Sequence, residues 1–394
     1  LKHIQPEGLY IIVYKRHGGQ RIRIDLMTIA DRGAVDRVLE RDLMLRLGRA
    51  VLYLSMFFVP LTAIRTIAGF PLSDIGIALS ATLSLLTVVR PKRAAVPLPL
   101  VVASVIGFIG TALLSLSSID PSIELMLGVR LIFVWLLWGL AVARLLNTYK
   151  KYIYAAAAYS MGCALSGAVA ICQYFGLDLR PFFMADATDS TARFIGLNGH
   201  PNGQGGALAI AVTFCLAALV YGVMRKSASV VLAVVLIGLM LSASITAFVA
   251  ALLGFVLILM RARRFRIVIG GVIVGACAIA LYDLLRNVFP TALTPFDRIL
   301  SATGVTGEST VGQRLATIQY ALDWLKEHPF AGVGFAGGGG TFDGRTQVHN
   351  MLILAYYQGG PLVLVAVLIV AIAGIGTAWR RSGTAVAESL AVGT

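Results

Sequence analysis

The chain alternates between long apolar segments and short polar connections over most of its length. From residue 50 onward, the apolar segments approach the roughly 20 residues that a helix needs to cross a bilayer. Nine such segments lie at residues 50–65, 70–89, 97–116, 126–143, 152–175, 204–224, 228–242, 244–260 and 267–283. We therefore predict an all-α fold, a polytopic transmembrane helical bundle with about ten spans once a C-terminal span is added.

The first 49 residues are mixed rather than apolar. Residues 10–14 have the aromatic and β-branched composition of a short strand. A charged helical stretch follows, in which leucines recur among arginines and glutamate up to Arg46 and Arg49. Residues 1–49 are thus predicted to form a basic cytoplasmic arm that approaches the membrane surface. We expect the first span to act as its own insertion signal.

Composition and charge agree with a membrane protein. The chain is 58% hydrophobic and only 13% charged, whereas soluble domains are about 25% charged. A net charge of +14 would also suit nucleic acid, but the basic residues fall in clusters between apolar segments, as the positive-inside rule predicts. The clusters are Arg90, Lys92 and Arg93; Arg144, Lys150 and Lys151; Arg225 and Lys226; and Arg261, Arg263, Arg264 and Arg266. We expect a lipid bilayer, and no nucleic acid, as the partner.

One long interval interrupts the apolar pattern in the second half of the chain. Residues 284–348 run for more than 60 positions without a span-like segment. With the N-terminus in the cytoplasm, nine crossings place this large loop in the periplasm, together with the small loop 176–203. Loops longer than about 12–15 residues are usually functional or disordered. Helical periodicity inside this loop favours function.

The middle of the large loop predicts a helix over residues 311–326. Glu308, Ser309 and Thr310 are start signals, and Pro329 is a stop signal. The apolar positions at helical spacing are Leu315, Ile318, Leu322 and Leu325. The interval therefore contains a folded element.

Arg314 lies in the predicted first turn of that helix, where backbone N–H groups and the helix dipole favour an acidic side chain. An anion held jointly by the guanidinium and the helix N-terminus would make a cation favourable there. A solvated arginine is the alternative, and the residues alone leave both open.

Beyond the helix, a glycine-rich stretch occupies residues 332–340. It lacks the Lys-Ser/Thr of a phosphate-binding P-loop, so a lid or hinge is the better interpretation. Residues 349–379 are predicted to form an interfacial helix and the last transmembrane helix, interrupted at Gly359-Gly360-Pro361, with residues 380–394 as a cytoplasmic tail. His328 is predicted to be structural and to end the preceding helix.

Several polar residues stand at predicted junctions of span and loop. Arg193 is either an interfacial arginine or an anion-binding one. His200 is either an ordinary loop histidine or a ligand or base. Asn202 precedes a span closely enough that we expect it to cap the helix. At His349, an imidazole with a pKa near about 6.5 can accept a proton, although the residues alone slightly favour a structural role.

The four cysteines indicate neither a metal site nor a disulfide framework. They all lie inside apolar segments, without the spacing that either would require. We predict that they are small core residues. No His, Asp or Glu cluster has metal-ligand spacing either.

Taken in order, several short motifs resemble the bacterial O-antigen ligase and polysaccharide polymerase superfamily of membrane glycosyltransferases, across roughly residues 190–380. Each motif is weak alone, and the resemblance rests on their order and topology. The motifs are Arg193 with Gly196, His200-Pro201-Asn202-Gly203, Gly312-Gln313-Arg314 leading to Trp324, residues 328–334, His349-Asn350 and Gly359-Gly360.

The resemblance implies a bacterial inner-membrane enzyme with no cofactor and no metal. It would move a glycan from an undecaprenyl-diphosphate carrier onto a lipid A-core or a growing polysaccharide acceptor at the periplasmic face. The anomeric configuration of the transferred sugar would be inverted. By resemblance, Arg193 and Arg314 would neutralise the diphosphate leaving group, and His349 would deprotonate or position the acceptor hydroxyl. The expected substrate-binding residues are Asn202, Asn350, Arg298, Arg345 and His200.

One departure from the family pattern stands at the start of the predicted span 244–260. The family often has a Ser-Arg pair there, whereas Ser244 is followed by Ile245 in this chain. Either Arg298 or Arg345 of the large loop supplies the missing diphosphate contact, or the chain is a diverged member with an altered donor; the sequence leaves both open.

Two other functions stay open from the sequence. A transporter or flippase of lipid-linked saccharide would place charged residues inside spans, where we find little apart from Arg130 near a span end. A non-catalytic scaffold for envelope assembly would use the large loop as a docking surface.

Overall fold

The computed structural model describes residues 9–13, 24–28, 32–65, 71–86, 97–116, 120–183, 193–262, 310–335, 348 and 350–392. Within these ranges the chain is mostly helical, as predicted, with one small sheet. The helices are α1 (Arg32–Phe58), α2 (Leu72–Leu86), α3 (Leu98–Ser115), α4 (Pro121–Ile132), α5 (Trp138–Leu145), α6 (Tyr149–Tyr174), α7 (Pro201–Tyr221), α8 (Arg225–Leu241), α9 (Ile245–Arg261), α10 (Thr310–Glu327) and α11 (Met351–Val392).

The N-terminal region forms a hairpin followed by a long helix. Strand β1 (Leu9–Val13) pairs antiparallel with β2 (Ile24–Thr28), so the predicted strand is confirmed and the all-α prediction is wrong in this detail. The predicted boundary at residue 49 lies inside α1, which runs unbroken from Arg32 to Phe58. No proline interrupts that stretch, and the helix ends just before Pro60, whose missing N–H cannot continue it.

Helices α1, α6, α7, α8 and α9 pack as one group, and α3 packs between α4 and α11 in another. Close approach depends on small residues. A Cβ on Gly162 of α6 would lie 2.0 Å from the carbonyl oxygen of Phe57, so only glycine lets α6 approach α1 this closely. Cys163 and Cys215 are buried in the core of the first group, as predicted for core cysteines.

Within the described ranges, five helical stretches are long and apolar enough to cross a membrane. They are Leu98–Ser115, Pro121–Leu145, Tyr149–Tyr174, Pro201–Tyr221 and Met351–Gly376, with shorter apolar helices at Leu72–Leu86 and Ile245–Met260. The predicted span 267–283 and most of the large loop lie outside the described residues. A total of about ten spans stays a prediction.

The second of these stretches begins earlier than the sequence predicts. The apolar pattern placed its start at residue 126, whereas α4 begins at Pro121, behind an Asp120 cap whose carboxylate accepts from the Ser122 and Ile123 amides. A π-helical segment, Phe133–Leu137, joins α4 to α5. The extra turn brings Glu124 into the helix, where its side chain is fully buried.

α11 is broken at the predicted position. Gly360 has φ 69° and ψ −175°, which is not helical, and Pro361 follows. The break divides α11 into a first part, residues 351–359, and a longer second part that packs against α3. The second part continues to Val392, past residue 380 where a tail was predicted.

Candidate functional site

The segment 193–200, which we call the Arg193 loop, is fixed between α1, α6 and α7. The Leu197 amide donates to Ser166 Oγ at 2.8 Å, and the Leu197 carbonyl accepts from the Ala63 amide at 3.1 Å. The Asn198 side-chain amide donates to the Pro60 carbonyl at 3.0 Å. Ile195 and Leu197 are 1% and 0% exposed. The loop is therefore a packed part of the bundle.

Arg193 extends from this loop to the connection between α8 and α9. Its Nε donates to the Ser242 carbonyl at 3.0 Å, and its Nη2 donates to Asn202 Oδ1 at 2.8 Å and to the Ala243 carbonyl at 3.4 Å. Ala243 has φ 48°, the left-handed region that a non-glycine residue rarely adopts. Arg193 thus holds a strained connection, and its guanidinium has a fixed position.

The residue that caps α7 is His200 and not Asn202. The expectation that Asn202 caps α7 is wrong, because Pro201 takes the first helical position and His200 is the cap, with Nδ1 accepting from the Asn202 amide at 3.2 Å. The Asn202 side chain instead accepts from Arg193 and, at 3.4 Å, from Ser244 Oγ. Asn202 therefore lies between the Arg193 guanidinium and Ser244, the residue that precedes Ile245 where the family often has arginine.

The capping role makes His200 a source of pH-dependent stability. Burial, and then the Arg193 charge, lower the pKa of His200, and Nδ1 must be unprotonated to accept from the Asn202 amide. The folded state therefore binds fewer protons than the unfolded chain, whose histidine pKa is about 6.5. Stability is full above that value and falls as the pH drops through it toward the lower folded pKa.

We expect His200→Asn, which caps without titrating, to flatten this pH dependence. The measurement is the apparent Tm of the purified protein between about pH 7.5 and 5. His328→Asn, at an exposed histidine stacked on Trp324, is the control and should keep the wild-type slope. An unchanged slope in His200→Asn would contradict the assignment.

The predicted helix of the large loop is confirmed as α10, but not all of the apolar positions at helical spacing are buried. Thr317, Ala321 and Leu325 are buried, and Ala321 and Leu325 pack with Val348 and with Tyr357 of α11. Leu315 and Leu322, two of the positions at helical spacing, are 62% and 39% exposed. Hydrophobic spacing alone does not separate a core face from a face that meets lipid or a ligand.

Arg314 lies on the buried face of α10, one turn before Thr317 and Ile318. Because the helix begins at Thr310, Arg314 stands in the second turn rather than in the predicted first turn. Its Nε is buried and has no hydrogen-bond partner in the described part of the chain. Buried guanidinium nitrogens almost always have partners, so an anion beside Arg314 would satisfy this donor.

A short extended segment, Gly332–Phe335, connects α10 to the break in α11. Pro361 cannot donate to the Tyr357 carbonyl, and that oxygen accepts instead from the Val333 amide at 2.8 Å. The Gln358 carbonyl accepts from the Gly334 amide at 3.0 Å. A Cβ on Gly332 would lie 2.4 Å from the Gln358 oxygen, so this contact requires glycine.

Glu124 holds the end of the same segment. Its Oε1 accepts from the Phe335 amide at 2.7 Å, across 211 positions of sequence, and the side chain is 0% exposed. Ionisable residues buried in a span are costly and are usually functional. Sequence reasoning missed Glu124, because it placed the start of the span after this residue.

The remaining predicted site residues are only partly described. Asn350 caps α11, since its Oδ1 accepts from the Leu352 and Ile353 amides at 3.0 and 3.2 Å, and its expected contact with substrate stays a prediction. His349, Arg298 and Arg345 lie outside the described residues. Val348, directly before His349, is 2% exposed in the cluster between α10 and α11.

The predicted site residues thus form two groups. Arg193, His200 and Asn202 are brought together around the α8–α9 connection. Arg314 and Asn350 belong to the α10–α11 unit. Among the hydrogen bonds and ion pairs of the described ranges, none joins the two groups, so their meeting in one cavity stays a prediction.

In a comparison with known families, residues 228–368 match the family model described as O-antigen ligase. The match begins later than the predicted resemblance over roughly 190–380. It includes Arg314, His349 and Asn350 but not Arg193 or Glu124. The comparison with characterised proteins finds no match.

Proposed function

We propose, because residues 228–368 match the O-antigen ligase family model, that the protein is a membrane glycosyltransferase that acts on a lipid-linked glycan. The donor is a glycan on undecaprenyl diphosphate, and the acceptor is a lipid A-core or a growing polysaccharide. Under the positive-inside rule, the Arg193 loop and α10 face the periplasm from the inner membrane. The apolar helices of the chain agree with a multi-pass membrane protein.

The observation that carries this proposal is Arg314. It lies inside the matched domain, on the packed face of α10, with a buried Nε that has no described acceptor. A diphosphate presents oxygens that match the planar donors of a guanidinium. Because the helix fixes the arginine before substrate arrives, little reorganisation is needed when negative charge develops.

In the proposed reaction, the acceptor hydroxyl attacks the anomeric carbon as the bond from that carbon to the diphosphate oxygen breaks. The hydroxyl proton passes to His349, and the electron pair of the broken bond stays on undecaprenyl diphosphate. Direct attack from the opposite side inverts the anomeric configuration. Arg314 and the fixed Arg193 stabilise the leaving group, the task that a metal ion performs in other enzymes.

One observation, the buried Glu124, favours the alternative function of a transporter or flippase, because such a protein would place charged residues inside its spans. Its carboxylate, however, is closed off from solvent and accepts from the Phe335 backbone amide. That hydrogen bond fixes the Gly332–Phe335 segment between α10 and α11. A carboxylate held in this way does not line a transport path. The transferase is therefore the better-supported function.

We expect His349→Ala to insert normally in a strain that lacks the chromosomal gene but to yield no polymer or ligated product. Loss of a general base typically costs about 10²–10⁴-fold in rate, so undecaprenyl-diphosphate glycan should accumulate. The measurement is extraction and mass analysis of lipid-linked intermediates. His328→Ala, at an exposed histidine, is the control. Normal product from His349→Ala would reject the transferase mechanism.

A further inference from the structure

Four cations surround one cavity between α1 and α6, far in sequence from the matched domain. Its volume is about 490 Å³. The lining residues are Arg46, Arg49, Ala50, Tyr53, Thr148, Lys150, Lys151 and Tyr154, and none of them is acidic. We call this feature the basic cavity.

The contacts of these cations leave most of their charge uncompensated. Arg49 Nε donates to the Leu45 carbonyl at 3.0 Å, and Lys151 Nζ donates to Asn147 Oδ1 at 2.6 Å, so both of these partners are neutral. The ion pair of Arg46 with Asp42 is solvated, with side chains 71% and 50% exposed. Solvated pairs of this kind contribute little.

The start of α6 adds to the positive potential. Thr148 is the N-cap but makes no side-chain capping hydrogen bond, and the first turn of this 26-residue helix has no acidic residue. Lys150 and Lys151 occupy that turn instead. The helix dipole favours an anion at this end. Two independent features, the four cations and the uncapped helix start, therefore favour the same ligand charge.

The positive-inside rule explains basic residues here but not their convergence on one cavity. Arg225 and Lys226 at the start of α8 obey the same rule, yet they are exposed and do not line the basic cavity. Apolar side chains on both helices are exposed nearby: Leu54 is 58% exposed, Tyr154 44% and Met161 51%. An amphiphile would cover this surface, whereas a soluble anion would not.

We propose that the basic cavity binds an anionic phospholipid of the leaflet at this end of the bundle. The half-buried Arg49 and Lys151 hold the phosphodiester, with Arg46 and Lys150 around it. The acyl chains lie along the apolar surface that includes Leu54 and Met161. The bound lipid joins α1 to α6, and this role is independent of glycan transfer.

The test compares phosphatidylglycerol with phosphatidylcholine on the full-length protein, with binding followed by native mass spectrometry. Each basic residue near a membrane surface contributes about fivefold to anionic-lipid binding. We expect the double variant Arg49→Gln and Lys151→Gln to bind phosphatidylglycerol about 30-fold more weakly. The matched control, Arg225→Gln and Lys226→Gln, removes the same charge from residues that do not line the basic cavity, and it should bind phosphatidylglycerol as wild type does.

A charge-preserving variant, Arg49→Lys with Lys151→Arg, separates loss of the site from loss of the fold, and it should keep most of the binding. Equal binding of phosphatidylcholine would overturn the proposal. So would full competition by millimolar inorganic phosphate, which would indicate a soluble-anion site. If the control pair loses as much phosphatidylglycerol binding as the double variant, binding depends on net charge alone, and the site would also be rejected.

Discussion

Membranes that contain the Arg314→Ala protein are expected to transfer glycan at least about 100-fold more slowly than wild type, the usual cost of removing one fixed donor from a developing anion. The same variant should be as stable as wild type or more stable. Its Nε is buried and has no hydrogen-bond partner among the described residues, and a buried donor without an acceptor does not stabilise the fold. Loss of activity with undiminished stability indicates a residue kept for its ligand.

Two variants make this test specific. Lys326→Ala removes a positive charge from the same helix, at a side chain that is 71% exposed and paired with Asp323, and should leave transfer unchanged. Arg314→Lys keeps the charge but loses the planar donor pair, so we expect an intermediate rate. If Arg314→Ala lowers the Tm while activity per folded molecule stays normal, the residue is structural and the anion site is wrong.

Glu124→Ala is expected to destabilise the protein and to reduce transfer together. The change removes the acceptor of the Phe335 amide in a site with no exposed surface, and an unsatisfied buried donor costs about 1–3 kcal/mol. Through the Gly332–Phe335 segment, the loss reaches the carbonyls of Tyr357 and Gln358 at the break in α11. The first part of α11 begins directly after the His349-Asn350 motif.

Hydrogen exchange gives the direct readout of this role. Amide exchange over residues 332–335 should accelerate in Glu124→Ala and stay slow in Glu124→Gln, whose amide oxygen can still accept from Phe335. Asp323→Ala, at a carboxylate 55% exposed, should change stability by no more than about 0.5 kcal/mol. Unchanged exchange in Glu124→Ala would show that the hydrogen bond does not hold the segment.

The elements were largely predictable from sequence, because apolar periodicity and helix signals are local. Helix α10 was predicted over 311–326 and runs from Thr310 to Glu327, and the break at Gly360 follows from Gly-Gly-Pro. The wrong prediction that Asn202 caps α7 could have been corrected from the neighbouring sequence. Proline favours the first helical position, so Pro201 places the cap one residue earlier, at His200.

The rest of the site required tertiary contacts that no local pattern contains. Glu124 meets Phe335 across 211 positions, and its charge led sequence reasoning to start the span too late. The exposed Leu315 and Leu322 could not be distinguished from core leucines, since a membrane protein has apolar residues on both kinds of surface. The basic residues were evident in sequence. Only the packing of α1 on α6 shows that Arg46 and Arg49 share a cavity with Lys150 and Lys151.

The most direct measurement uses the purified protein in vesicles with a defined undecaprenyl-diphosphate glycan and an acceptor. Glycosidic bonds formed and undecaprenyl diphosphate released are counted in the same sample. We expect equal numbers of the two for wild type, and near zero for both with Arg314→Ala. Donor that crosses the bilayer uncleaved, or equal release by wild type and Arg314→Ala, would contradict diphosphate capture by Arg314 as the basis of transfer.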